Sequence, residues 1–198
     1  MLDAYLGRKG SGFAASLDAL ARGMLRLGLP ADRLTYAAVL LGLVAAGLFY
    51  FQRGWWAFLV LLLSGGLDAI DGRVARLGSG PTTWGGVLDL VFDRVVEADV
   101  LLGIAVPHPE WHLPALVLAA TWYVNLCVFL AVGAASDKHP EKIIAYPPGL
   151  LERTEALIFA FVVVALPALT PTAGYVYAGL ELLTAGQRFN YGRRALAG

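Results

Sequence analysis

The chain has 198 residues, of which 58% are hydrophobic and 15% charged, and its 15 Lys and Arg residues balance 15 Asp and Glu residues. Soluble domains carry about 45–50% apolar and about 25% charged residues, so both departures point to a membrane protein. The balanced charge lacks the basic excess that is typical of nucleic-acid binding, so no nucleic-acid partner is expected. A single cysteine, Cys127, excludes intrachain disulfides and cysteine-based zinc sites.

The first 33 residues predict an amphipathic helix. Apolar residues recur at three- and four-residue steps between positions 13 and 25, while Asp18, Arg22 and Arg26 fall on another face. Two placements stay open, one on the membrane surface and one packed against the rest of the protein. We divide the chain into a cytoplasmic segment, residues 1–33, and a membrane domain, residues 34–198.

Six apolar segments follow, each close to the ~20 residues that cross a ~30 Å hydrocarbon core. They are Leu34–Phe51, Trp55–Ala75, Gly86–Val106, Leu113–Ala135, Thr154–Leu169 and Ala173–Phe189. Turn-forming residues separate them, as at Gly78–Pro81 and Thr170-Pro171. The sequence therefore predicts an all-α polytopic membrane protein with six transmembrane helices after the amphipathic helix.

The basic residues predict the orientation of these helices. With the amino terminus in the cytoplasm, all Lys and Arg residues except Arg53 and Arg94 fall on the inner segments. The positive-inside rule therefore favours a topology with both termini in the cytoplasm. The expected location is the cytoplasmic membrane. The outer loops are short, so we expect the active surface to face the cytoplasm.

Acidic residues are concentrated in two of the predicted spans, where ionisable groups are costly and usually mark function. Asp68 and Asp71 lie three residues apart in the second span, and Asp89, Asp93 and Glu97 lie four apart in the third. Each set therefore occupies one face of its helix, near the cytoplasmic side.

Four carboxylates at one level would repel one another unless cations intervened. Oxygen ligands without His or Cys suit a hard cation. Asp68, Asp71, Asp89 and Asp93 therefore predict a site for two hard divalent ions, such as Mg²⁺, Mn²⁺ or Ca²⁺, of which Mg²⁺ or Mn²⁺ is the expected cofactor. The guanidinium of Arg76 supplies a fork for phosphate beside them. Divalent cations with an adjacent arginine are typical of phosphoryl and pyrophosphate chemistry.

The acids belong to a longer pattern that runs over residues 68–93. Its fixed members are Asp68, Asp71, Gly72, Ala75, Arg76, Gly85, Asp89 and Asp93. At every position and spacing this pattern resembles the signature of the CDP-alcohol phosphotransferase family of membrane enzymes. Members of that family cleave a CDP-linked substrate, usually CDP-diacylglycerol, pass the phosphatidyl group to an alcohol and release CMP.

The resemblance implies a role for each position of the signature. Asp68, Asp71 and Asp89 would be metal ligands, and Asp93 would combine metal contact with general-base catalysis on the acceptor hydroxyl. The CDP pocket would be shaped by Gly72, Ala75, Arg76 and Gly85. The resemblance also implies a homodimer.

A second element precedes the first span. Asp32-Arg33-Leu34-Thr35 resembles the Asn/Asp-x-x-Thr element that contributes to the nucleotide pocket in this family, which makes Asp32 and Thr35 candidates for nucleotide binding. The alternative is that Asp32 serves as an ordinary helix N-cap.

Two further segments resemble the inositol-phosphate branch of the family. Gly149–Glu155 resembles its Gly-Leu-x-Glu-Arg-x-Glu element, and Gly186-Gln187-Arg188 its Gly-Gln-Arg element. Arg153 and Arg188 thereby become candidates for binding the acceptor's phosphate. Lys142, on the same inner connection as Gly149–Glu155, is a further candidate, or else an ordinary charge of the inner loop. Ala156 stands where that branch carries a second arginine, so the acceptor stays open among phosphorylated alcohols and serine.

Three alternatives stay open beside this reading. The donor and acceptor could be reversed, with a CDP-aminoalcohol donating to diacylglycerol. Intramembrane acids also line ion pathways, so a transporter is the second alternative. The outer halves of the second and third spans are almost wholly apolar, which favours a one-sided site over a pathway. A catalytically idle scaffold with the same fold is the third.

Overall fold

The structure is a computed structural model that describes residues 12–136, 150–151, 153–167 and 170–196. All regular elements of these residues are helical. We number the α-helices α1 Gly12–Arg26, α2 Ala31–Tyr50, α3 Gly54–Leu77, α4 Thr83–Ala105, α5 His112–Ala135, α6 Arg153–Ala165 and α7 Thr170–Leu196. A single 3₁₀ turn, Pro109–Trp111, precedes α5.

Each predicted segment overlaps one helix, which confirms the all-α prediction. Two stretches, Ala31–Tyr50 and Pro109–Ala135, are long and apolar enough to cross a membrane by length and composition. The 13-residue α6 is shorter than a span of ~20 residues requires. The six-span topology and its orientation therefore stay predictions.

The chain separates into two compact units, at residues 107 and 108. In the described part of residues 3–107, α2 packs against both α3 and α4, and α1 packs against α3. A small core forms where α1 meets this group, from Ala21, Leu34, Ile70 and Val74. The guanidinium of Arg73 forms an ion pair with Asp18 across the same contact. The amphipathic helix is thus packed against the protein through its apolar face.

Close helix approaches in this unit depend on two glycines. A Cβ atom on Gly103 of α4 would lie 2.3 Å from the carbonyl oxygen of Ala46 on α2. One on Gly42 of α2 would lie 2.5 Å from a methyl carbon of Val96 on α4. These glycines let the two backbones approach closely, as small residues do in membrane helix pairs.

The described part of residues 108–198 is built on α7, which packs against α5 and α6. The Phe159 ring of α6 stacks on Tyr177 of α7 with centroids 4.5 Å apart. Gly192 lies against Val132 of α5, where a Cβ would come within 2.6 Å of a methyl carbon. Thr184 is fully buried, and its hydroxyl accepts a hydrogen bond from the backbone N–H of Leu151 at 3.2 Å.

Large apolar side chains are exposed along the outer faces of both units. Leu40, Leu63, Leu116, Tyr123 and Val176 are each more than half exposed. Exposed apolar surface of this extent marks contact with a membrane or another protein. It agrees with the composition of a membrane protein.

Candidate metal and nucleotide site

Three carboxylates of the signature meet in the first unit. Asp68 and Asp71 come from α3 and Asp89 from α4, and one oxygen of each lies within 4.8 Å of the others. Asp71 is buried, and the other two are half-buried. The three-residue spacing puts both α3 acids on one face, and α2 packs against both α3 and α4. The predicted convergence of these three residues is confirmed.

Asp93 lies outside this group of three. It is half-buried on α4, one turn beyond Asp89, and a turn advances about 5.4 Å along a helix. The group of three is the part of the predicted four-carboxylate site that the structure shows, and the share of Asp93 in metal binding stays a prediction. The role of Asp93 as a general base also stays a prediction.

The donor set suits a divalent cation. Three carboxylate oxygens at this separation match the ligand type of Mg²⁺ and Mn²⁺, which prefer hard oxygen donors. In the absence of a cation, partly buried carboxylates so close together repel one another. The chemistry of the residues thus fits a metal site.

The first turns of α2 border this site. Thr35 is buried, and its hydroxyl donates a hydrogen bond to Oδ2 of Asp71 at 2.5 Å. The Oδ1 atom of Asp32 lies 3.8 Å from where a Cβ on Gly85 would stand. The Asp-x-x-Thr element therefore lies beside the signature, as the resemblance implied.

The alternative interpretation of Asp32 as an N-cap is wrong. α2 begins at Ala31, its N-cap position is Pro30, and no side chain caps it by a hydrogen bond. Asp32 instead lies in the first helical turn, where a negative side chain interacts favourably with the helix dipole.

The small residues of the signature are arranged around the same helix ends. The guanidinium of Arg76 lies over Gly72, with Nη1 3.4 Å from where a Cβ would stand. Gly85 lies in the first turn of α4, where its N–H donates to the hydroxyl of the N-cap residue Thr82 at 2.9 Å. Ala75 is half-buried on α3, and its carbonyl accepts from the N–H of Gly80 in the following turn. Sequence reasoning missed the Thr82 cap, which a Thr before an apolar run could have signalled.

Arg94 and Glu97 form an ion pair on α4. Nη1 of Arg94 lies 2.7 Å from Oε2 of Glu97, three residues further on. The pair explains how an arginine is accommodated in the middle of an apolar helix, since opposite charges in adjacent turns compensate each other.

The acceptor candidates fall in the second part of the chain. Nη1 of Arg188 donates to Oδ1 of Asn125 at 2.8 Å, and its guanidinium lies over Phe129, 5.1 Å from the ring centroid. Arg153 begins α6, and its side chain is not among the described groups. Lys142 lies outside the described residues. Asn125 and Glu181 were missed, although polar residues in apolar spans are the signal for them.

Comparisons with known proteins agree with this geometry. The model of the CDP-alcohol phosphatidyltransferase family matches residues 29–185. An archaetidylinositol phosphate synthase of Pyrococcus horikoshii is 30% identical over 74% of this chain and 74% of its own length. A phosphatidylinositol phosphate synthase of Mycobacterium marinum is 28% identical over 89% of this chain and 79% of its own.

Solved structures of a phosphatidylinositol phosphate synthase from Mycobacterium tuberculosis share the fold. The form with manganese and citrate has a TM-score of 0.73 and 25% identity, and covers 89% of this chain and 88% of that chain. The form with CDP-DAG bound has a TM-score of 0.72 at the same 25% identity, over 89% of this chain and 93% of that chain.

Proposed function

This chain belongs to the CDP-alcohol phosphatidyltransferase family and is a transferase, and we propose that it passes a phosphatidyl group from CDP-diacylglycerol to a phosphorylated polyol. The observation that carries the proposal is the convergence of Asp68, Asp71 and Asp89 within 4.8 Å, at the positions of the family signature. The names of the relatives make an inositol phosphate the first acceptor to test.

In this proposal, the residues that would hold Mg²⁺ or Mn²⁺ are Asp68, Asp71, Asp89 and Asp93, with two ions as the expected number. The manganese in a structural relative supports this choice. A cation held by these residues would supply positive charge to neutralise the charge that develops on the diphosphate. Thr35 keeps the carboxylate of Asp71 in one orientation through its short hydrogen bond.

The remaining signature residues bind and orient the donor. Gly72, Ala75 and Gly85 leave space for the cytidine diphosphate, and Arg76 offers a guanidinium fork to its phosphates. Asp32 and Thr35 border the same pocket from α2.

Asp93 is the proposed general base. Its carboxylate takes the proton of the acceptor hydroxyl, whose oxygen then forms a bond to the lipid-side phosphorus. The bond from that phosphorus to the bridging oxygen breaks, and CMP leaves with the electron pair. Arg153, Arg188 and Lys142 are the proposed cationic groups for the acceptor's own phosphate.

The proposed setting is the cytoplasmic membrane, with the site facing the cytoplasm and the chain forming a homodimer. The positive-inside distribution supports this orientation. An inner membrane protein of Escherichia coli, 29% identical over 79% of this chain and 80% of its own length, supports the location.

The test is CMP release by the purified protein in detergent, with CDP-diacylglycerol and Mg²⁺ or Mn²⁺. Inositol phosphate, glycerol 3-phosphate, inositol and serine are screened as acceptors. We expect CMP release that depends on the metal and is stimulated by one phosphorylated acceptor. EDTA should abolish this release, and so should the Asp89→Asn substitution. A CDP-aminoalcohol with diacylglycerol is run in parallel. Product only in that arm would replace the proposed donor, and release stimulated by serine alone would replace the proposed acceptor class.

The base role has its own test. We expect Asp93→Asn to lower kcat by about 10²–10⁴-fold, the usual contribution of a positioned general base. The variant should still extract from membranes and elute as the wild type does on size exclusion. A purified Asp93→Asn protein with near wild-type kcat would remove Asp93 from this role.

A further inference from the structure

A buried polar cluster lies between α5 and α7 in the second unit. Asn125 and Glu181 are 8% and 6% exposed. Nδ2 of Asn125 donates to Oε2 of Glu181, and Oδ1 of Asn125 accepts from Nη1 of Arg188 at 2.8 Å. Phe129, one turn after Asn125, lies beneath the guanidinium.

The chemistry of the three groups fixes the orientation of the amide. A guanidinium only donates hydrogen bonds, and an ionised carboxylate only accepts them. Asn125 stands between the two with its oxygen toward Arg188 and its nitrogen toward Glu181. An aspartate or a leucine in its place could not satisfy both neighbours.

Stability alone is a weak reason for such a cluster. Polar and charged groups in a membrane-embedded helix pair are costly, and well-packed apolar residues often serve stability as well. What the cluster does achieve is a guanidinium held at one end by a hydrogen bond and across its face by a ring.

We infer that Asn125 and Glu181 are positioning residues that hold the Arg188 guanidinium ready for the acceptor's phosphate. The inference rests on the proposed function, in which Arg188 binds that phosphate. A group already ordered before binding loses less conformational freedom when the ligand arrives. Asn125 acts on Arg188 directly, and Glu181 acts by keeping the Asn125 amide from turning over.

The test compares full-length variants in detergent with inositol phosphate as the acceptor. We expect Asn125→Leu and Glu181→Leu to raise the KM for inositol phosphate about tenfold or more, the effect of losing a hydrogen bond to a charged group. The KM for CDP-diacylglycerol and kcat at saturating acceptor should stay near wild type. Glu181→Gln keeps an oxygen that can accept from Asn125, so its KM should lie close to the wild-type value.

Thr121→Val is the matched control. Thr121 is buried one turn earlier on α5, and its hydroxyl donates to the carbonyl of Leu118 within the same helix. Its KM for inositol phosphate should not change. An unchanged KM for inositol phosphate in folded Asn125→Leu would overturn the inference. So would changes in kcat and in this KM that are the same in Asn125→Leu as in Thr121→Val.

A second measurement does not need activity. Phenylglyoxal modifies arginine, and the rate at Arg188 is followed by mass spectrometry of its peptide in the unliganded protein. We expect faster modification in Asn125→Leu and Glu181→Leu than in the wild type and Thr121→Val, and equal rates would show that Asn125 does not hold Arg188. If the wild-type protein forms no lipid product, the proposed function is overturned instead. The modification rates at Arg188 would still show whether Asn125 and Glu181 hold its guanidinium.

Discussion

Thr35 links the two sequence elements that border the metal site. Its hydroxyl donates to Asp71 Oδ2 at 2.5 Å, and both side chains are buried. A hydrogen bond to a carboxylate is a charge-assisted one, shorter and stronger than a neutral bond. The bond therefore restrains the carboxylate of Asp71, one of the three acids that converge. In the proposed function, Thr35 therefore supports the metal site through Asp71.

Thr35→Val should weaken metal binding. Removing such a supporting hydrogen bond typically costs about 10–100-fold in metal affinity or activity. The Mn²⁺ concentration for half-maximal CMP release should rise in that range, and the rise in melting temperature on adding Mn²⁺ should shrink. Thr35→Ser should restore both.

Ser64→Ala is the control for this prediction. Ser64 also donates a buried hydrogen bond between α3 and α2, but to the carbonyl of Ala38, at 2.7 Å. Its loss should lower the melting temperature without changing the Mn²⁺ dependence. Equal Mn²⁺ dependence in Thr35→Val and the wild type would show that Thr35 does not orient the metal ligand.

The residues of the site differ in how far the sequence could predict them. The acids of α3 and α4 were predictable because charge within an apolar span is costly, and spacing alone put them on one face. The bond from Thr35 to Asp71 was not, because it joins residues 36 positions apart and depends on how α2 packs. The cluster of Asn125 and Glu181 was hidden for the same reason, with 56 positions between its partners.

At the scale of elements, α2 organises the first unit because it packs against both helices that carry the acids. Its contact with α4 is close enough that the backbone at Ala46 would meet any side chain at position 103. We expect this close contact to set the distance between the axes of α2 and α4. That distance in turn affects the position of Asp89, on α4, relative to Thr35, on α2. Small residues at this crossing therefore serve the geometry of the site.

Gly103→Ala should disturb that crossing. The new methyl group would start 2.3 Å from the Ala46 carbonyl oxygen, so the helices must separate. Overpacking of this kind costs about 1–3 kcal/mol. We expect a lower melting temperature in detergent and a lower kcat. Gly47→Ala on α2 is the control, because nothing lies within 4 Å of its Cβ position. If the two variants melt alike, the close approach does not constrain the pair.

Two helix boundaries differ from the prediction, and proline explains both. The prediction carried α6 to Leu169, but the helix ends at Ala165, just before the residue that precedes Pro167. Residues before a proline are disfavoured in the helical conformation. Conversely, the sequence predicts a break between spans at Thr170-Pro171, but α7 begins there. Proline is tolerated in the first turn of a helix, where its missing N–H has no partner to lose.

At the scale of the whole molecule, two distributions determine how the chain can lie in a membrane. Apolar side chains cover outward faces in both units, as at Leu63 and Val176. Basic residues, by contrast, gather in segments such as the end of α7, where Arg193 and Arg194 occupy the last turn. The first distribution favours lipid contact, and the second favours the cytoplasmic side for these segments. The apolar excess and the order of the basic residues can be read from the sequence, whereas which apolar side chains face outward depends on how the helices pack.

The orientation can be measured by thiol labelling, because Cys127→Ser leaves a chain without cysteine. Ser79 lies in the exposed turn after α3, and Glu110 in the exposed turn before α5. We expect a membrane-impermeant maleimide to label Glu110→Cys in right-side-out vesicles and Ser79→Cys only in inverted ones. Ser79 lies two residues after the helix that carries Asp68, Asp71 and Arg76. In the proposed function, its side of the membrane is therefore the side from which a water-soluble acceptor enters. Labelling of Ser79→Cys from the outside would reverse the proposed orientation, and with it the compartment that supplies the acceptor.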